Sequence, residues 1–237
     1  MAPDPSTGQS LGMRWQYTIY LLLALLALIL TAGLLSSSSE YFIRFFGGAN
    51  PIFVVGLVAI LGALALRSLQ SNYDFLVVKQ GHTLRGVALA ATLSALLAVA
   101  VIIADLILIY PQDINVPVPQ ALLFYPAVGF VAEIAFHLLP LAMLLLAMKP
   151  LVMHLGKQRV VWIGILLVAL IEPSYQLLFD EAASTVRSAY TWVHVFVIGL
   201  LQLWLFRRFG FAVMYGFRFF YYLYWHILWG VARLSLM

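Results

Sequence analysis

The sequence predicts an all-α polytopic membrane bundle of about seven transmembrane helices. Three observations carry that expectation. Of 237 residues, 64% are hydrophobic and only 9% charged, and mean hydropathy is +1.02, a surface no water-soluble domain of this size carries. The apolar runs are long and continuous rather than short alternations, so the spans are helical rather than a β-barrel. The basic residues also fall predominantly on one side of those runs.

At about 1.5 Å per residue, roughly 20 apolar residues cross the hydrocarbon core. The stretches that meet or approach this length are 17–36, 51–69, 86–110, 121–148, 159–178, 189–206 and 211–235. The first follows Arg14 and is longer than a signal-peptide core, and Leu-Ser-Ser-Ser-Ser is a poor cleavage site, so it reads as a retained helix. Ser36 to Ser39 and Pro111 to Pro119 read as loops, and 1–237 reads as a single membrane domain.

With seven spans, Arg14, Arg67, Lys79, Arg85, Lys149, Lys157, Arg159, Arg207 and Arg208 lie on one side and only Arg44 and Arg187 on the other. The positive-inside rule then puts the N-terminus in the cytoplasm and the C-terminus on the far side. The net charge of +4 reads as topology signal, and no domain is left over for nucleic acid. A chain with no cysteine has no disulfide, thiolate zinc site or cysteine nucleophile.

An ionisable residue at bilayer depth costs roughly 2.5–3.5 kcal/mol on insertion scales and usually faces protein or a water-filled cavity. The candidates are Asp105, Glu133, His137, Glu172, Gln176, His194, Arg218 and His226. Following the chain at helical rise, Glu133 falls near mid-membrane, Glu172 and His226 in the outer half, and Asp105 and His194 near the outer boundary. Glu133 and His137 are four apart, about 40° around the helix and about 6 Å along it, with Gly129 one turn earlier on the same stripe. Glu172 with Gln176 and His226 with Gly230 repeat the spacing. Such residues are expected to form a polar pocket in which a glutamate polarises a water and an imidazole or amide donates to an oxyanion, or else a relay for protons or ions. The bland alternatives are a hydrogen-bonded pair that fixes packing, a proline kink at Pro173 beside Glu172, and an interfacial aromatic belt around His226. Arg218 is expected to snorkel toward the cytoplasmic headgroups rather than pair with a buried acid, and Asp105 and His194 to be boundary residues.

Three stretches together resemble the CPBP family of intramembrane proteases, which includes the CAAX prenyl endopeptidases and bacterial abortive-infection-type homologues. That family carries a Glu-Glu-x-x-x-Arg helix, a Phe-x-x-x-His helix and a His-x-x-x-Asn/Asp helix. Pro126-Ala-Val-Gly-Phe-Val-Ala-Glu-Ile-Ala-Phe-His137 resembles the first, Leu200 to Gly210 is similar to the approach to the last, and Tyr224-Trp-His-Ile-Leu-Trp-Gly230 resembles the last itself. The likeness covers 121–235, the CPBP-like core helices. Ala132 stands at the place of the family's first glutamate, His137 at the arginine, Glu172 and Gln176 at the Phe and His of the second motif, and Gly230 at the final Asn/Asp.

The resemblance implies an intramembrane peptidase acting on a membrane-embedded or lipid-linked peptide. Glu133 would be base, His226 the carbonyl donor, and His137 and Glu172 orienting partners. The alternative is a non-catalytic homologue serving as a membrane subunit or scaffold for a protein partner. A proton-coupled transporter ranks third, since no inverted repeat is evident. The sequence specifies no particular cofactor, and a divalent metal is the one candidate. A divalent metal would need three ligands and an open position, which Glu133, His137, Glu172 and His226 supply by residue type, although their spacing is not that of a His-Glu-x-x-His helix. The expected setting is a multi-pass protein of a bacterial cytoplasmic membrane.

Overall fold

The computed structural model describes residues 5–38, 40–108, 110–111, 114–179 and 184–236; residues 39, 109, 112 and 113 of the expected loops and third span lie outside them. Among the described residues there is no strand. The helices are α1 (Pro5–Leu35), α2 (Glu40–Phe46), α3 (Pro51–Tyr73), α4 (Thr83–Leu108), α5 (Gln120–Ala132), α6 (Leu139–Ala147), α7 (Val152–Leu155), α8 (Lys157–Ala169), α9 (Ile171–Phe179), α10 (Thr185–Phe209), α11 (Phe211–Tyr222) and α12 (Gly230–Leu236). A π-helical turn, Glu133–Leu138, joins α5 to α6, and another, Leu223–Trp229, joins α11 to α12.

Among the described residues, six helical stretches are long and apolar enough to cross a membrane: Gly12–Leu35, Pro51–Tyr73, Thr83–Leu108, Gln120–Ala147, Lys157–Leu178 and Thr185–Phe209. The protein is therefore an integral, multi-pass membrane protein. The expected seventh span, 211–235, is a continuous helix but is not among the six. The reason is its composition: Arg218, His226 and Arg233 interrupt its apolar residues. It packs against α4, α10 and α5, and Arg218 and Arg233 are buried in the bundle.

The outer surface is apolar. Leu21, Leu22 and Ile29 on α1 and Ile103, Leu106 and Ile107 on α4 are each more than half exposed, as helices facing lipid tails require. Ala90, Ser94 and Ala98 make a small-residue face on α4 along which α11 approaches, and Ser94 Oγ donates to the Phe217 carbonyl at 2.8 Å.

Proline chemistry sets the breaks that matter. Pro140 in the first turn of α6 has no N–H to continue the ladder of the preceding turn, and the widened Glu133–Leu138 turn lies immediately before it. Leu170 separates α8 from α9, so Pro173 sits in a first turn, where its missing N–H is harmless, and Glu172 beside it points inward. At the opposite end of the bundle, residues 74–79 cross beneath the α10–α11 turn. Phe211 and Ala212 donate their N–H groups to Leu76 and Val77 at 3.0 and 2.9 Å, and Gln16 Oε1 accepts from Val77 and Val78 at 2.7 and 2.9 Å. Gly210 permits the crossing: its φ is +107°, and a Cβ there would lie 2.5 Å from the Val77 carbonyl oxygen.

Candidate functional site

Two positions on the Glu133–Leu138 turn, one on α9, one on α10 and two on α11 converge in the interior. Glu133, His137 and Gln202 are wholly buried, and Glu172 and Arg218 are 6% and 4% exposed. Arg218 is the hub. Its Nε donates to Glu133 Oε1 at 2.5 Å, Nη1 to Glu172 Oε1 at 2.9 Å and Nη2 to Glu172 Oε2 at 2.7 Å. Nη1 also reaches the Tyr222 hydroxyl at 3.1 Å and Nη2 the Gln202 carbonyl oxygen at 3.4 Å. Gln202 Nε2 donates to Glu133 Oε1, so that one oxygen accepts from both neighbours. Burying two carboxylates is costly unless cations and N–H donors meet them, and here one guanidinium fork meets both.

The expectation that Arg218 snorkels to the headgroups is thus corrected: it turns inward because two uncompensated acids lie within its reach. The imidazole of His137 sits between the two acids, Nδ1 3.5 Å from Glu133 Oε2 and Nε2 3.8 Å from Glu172 Oε2. Among the described residues, neither nitrogen nor Glu133 Oε2 has a hydrogen-bond partner. Small residues make room for the cluster: a Cβ on Gly199 would be 3.3 Å from His137 Nε2, and one on Gly129 would be 3.5 Å from Arg218 Cδ.

This cluster forms the floor of a cavity of about 950 Å³. Glu172, Gln202, Arg218 and Tyr222 line it, whereas Glu133 and His137 lie behind them. The cavity extends past His194, Tyr221 and His226 to Glu40, Pro117 and Ser188, at the end of the bundle where α2 and the 110–117 loop lie.

His226 is therefore in the cavity wall and apart from Glu133. Its ring stacks on Tyr125 at 4.6 Å and meets Tyr222 edge-on at 5.1 Å. Asn115, from the loop, brings its Nδ2 to 3.4 Å from His226 Nδ1 and donates to the His226 carbonyl at 3.2 Å. A side-chain donor thereby takes a carbonyl of the widened Leu223–Trp229 turn. Asn115 also packs on Gly230, where a Cβ would be 3.0 Å from its Nδ2.

Gln176 lines the cavity nearer its mouth and makes no described contact with the floor. His194 is buried, with Nε2 3.0 Å from the Tyr221 hydroxyl and its ring stacked on Tyr190. Asp105 lies three residues from the end of α4. It is buried, its Oδ2 2.9 Å from Arg233 Nε and accepting from Trp229 Nε1 at 2.8 Å.

Sequence reasoning overlooked Arg233, Asn115 and Gln202. For Arg233 and Gln202 a signal existed, since polar side chains deep in apolar helices need partners; a loop asparagine leaves no such trace.

Among the described residues no group of three His, Asp or Glu is placed to hold a metal ion. The guanidinium of Arg218 occupies the space between the two carboxylates that would have to share one, so the residues present do not fit a metal centre.

The fold and site define a multi-pass helical membrane protein with a polar cluster at the floor of an internal cavity. The chain matches no family model, no curated protein and no solved structure.

Proposed function

We propose that this chain is a receptor-like membrane protein on a CPBP-type scaffold, with its N-terminus in the cytoplasm, whose cavity receives the polar end of a membrane-borne molecule without hydrolysing it. One observation carries the reading: the carboxylates of Glu133 and Glu172 are held by Arg218, while the open wall is aromatic and hydroxyl-rich. Glu133 does not line the cavity in which a scissile bond would lie. A volume of about 950 Å³ is at the upper end of small-molecule sites.

The test is native mass spectrometry of protein purified in mild detergent. The parent is expected to carry a bound molecule, and Ser188→Trp, which puts an indole into the cavity lining, is expected to reduce its occupancy while melting at the same temperature. Equal occupancy in both proteins would refute the receptor reading.

A second reading, intramembrane peptidase, is favoured by Glu133 Oε2, the oxygen not engaged by Arg218, which faces His137. In it a water oxygen attacks the peptide carbonyl, its proton passes to Glu133, and the proton then leaves with the amine. If the parent cleaves membrane-anchored peptides and Glu133→Gln does not, this reading replaces the first. If Glu133→Gln cleaves as fast as the parent, Glu133 is not the base.

A further inference from the structure

Resting on the receptor reading, we infer that the cavity selects an ammonium group, primary or quaternary, as the polar end of its ligand. Formal charge is the first argument. Among the described residues, the charged side chains that line the cavity are two carboxylates, Glu172 at the floor and Glu40 exposed at the other end, and one guanidinium, Arg218. The lining therefore carries one negative charge in excess, and low-dielectric walls focus that field along the cavity.

The walls supply the second argument. Tyr125, Tyr222, Trp225 and His226 form a continuous aromatic group: Tyr125 and Tyr222 are 5.4 Å apart between ring centres, and Trp225 and His226 are 5.8 Å apart. Ring faces attract a cation within about 6 Å and do so more strongly when water is excluded. Arg218 already uses this chemistry, with its guanidinium carbon 5.7 Å from the Tyr222 ring centre.

An anionic end fits poorly. The Nε, Nη1 and Nη2 groups of Arg218 are all engaged with Glu133, Glu172, Gln202 and Tyr222, so a phosphate or carboxylate entering the cavity would meet acids before it met a free donor. A purely apolar end would strip water from the Tyr222 hydroxyl and the Glu172 carboxylate and return nothing. An ammonium satisfies the acids by charge and the rings by cation–π contact, and its source is either a lipid headgroup or a free amine.

The test uses the full chain in lipid nanodiscs, with intrinsic tryptophan fluorescence and calorimetry as readouts. The ligands are hexyltrimethylammonium, its uncharged carbon isostere, hexyl sulfate and tetramethylammonium. The ammonium is expected to bind about tenfold more tightly than the isostere, Glu40→Gln to weaken it by about threefold, and Ser188→Trp to weaken it too. Tetramethylammonium binding as well as the tailed ion identifies a free amine, and binding only with the tail identifies a lipid headgroup. Equal binding of ammonium and isostere, or preference for the sulfate, overturns the inference and leaves the receptor reading standing. Binding by none of the four overturns the inference, and the receptor reading falls with it only if the parent also carries no bound molecule.

Discussion

Arg218 on α11 and Glu172 on α9 meet fork to fork, Nη1 on Oε1 at 2.9 Å and Nη2 on Oε2 at 2.7 Å, on helices that no sequence spacing links. The same guanidinium turns its third edge to Glu133, so one cation neutralises acids from two further segments of the chain. Removing the hub while leaving its partners exposes the dependence. Arg218→Leu is expected to cost about 3–5 kcal/mol, because two buried carboxylates lose their cation together. Adding Glu133→Gln and Glu172→Gln to that variant should recover most of the loss. Thermal unfolding in detergent checks both; a single variant as stable as the parent would show that the cluster does not hold the bundle.

That relationship also marks where the sequence could be read and where it could not. Glu133 and His137 come together as their four-residue spacing implied, and Glu172, His194 and His226, from three separate segments, line one cavity. Arg218 was misplaced because a long side chain near a span end can turn either way, and its direction is decided by acids on other helices. Periodicity is also an α-helical argument, whereas both Glu133 and His226 lie on π-helical turns, whose widening depends on Pro140 in one case and accompanies a loop side chain, Asn115, in the other.

The glycines rank by what a methyl group would strike. At Gly210 a Cβ meets backbone, 2.5 Å from the Val77 oxygen, with φ at +107°, so Gly210→Ala should cost roughly 2–3 kcal/mol or more. At Gly62 it would fall on the Tyr20 hydroxyl, itself bonded to the Ala59 carbonyl at 2.8 Å, and about 1–3 kcal/mol is expected. At Gly164 a Cβ would strike a flexible side-chain end, Leu145 Cδ2 at 2.7 Å, with Leu141 Cδ1 in ordinary contact at 3.5 Å, and Gly164→Ala should cost least of the three. Gly216, with nothing within 4 Å, should accept alanine without loss. Melting temperatures that fail to follow this order would refute the packing.

One exposed ion pair gives a pH dependence with a definite sign. Lys157 Nζ donates to Asp74 Oδ2 at 2.7 Å, and that hydrogen bond, aided by the charges of Lys157, Arg207 and Lys79, holds the Asp74 carboxyl below its usual range despite some desolvation. A group whose folded value is depressed contributes stability above its unfolded value, near pH 4, and loses it as pH falls through the folded value. With the Asp74 side chain 76% exposed, solvent screening keeps the effect within about 0.2–1 kcal/mol. An asparagine in its place would keep the left-handed backbone that Asp74 adopts at φ 58°, so Asp74→Asn should be slightly less stable than the parent at pH 7 and equal to it near pH 2. A difference that persists at pH 2 would assign the loss to the backbone instead.

Asp105 closes a second buried network at the cavity's open end. It accepts from the Tyr110 N–H at 3.1 Å and from Trp229 Nε1 at 2.8 Å, and pairs with Arg233, which in turn donates to the carbonyl of Pro111 at 3.0 Å and to that of Tyr110. The network ties the end of α4, the loop and α12 together, and Tyr110, Pro111 and Asn115 of that loop line the cavity. Asp105→Leu strands a guanidinium that is 1% exposed and should cost about 3–5 kcal/mol. Asp105→Leu with Arg233→Leu should cost distinctly less than the single change, because no charge is left unpaired. Both variants release the indole N–H of Trp229, so its fluorescence should shift in both, while the stability loss follows the stranded charge alone. Equal losses in the two proteins would mean that the ion pair contributes nothing beyond packing.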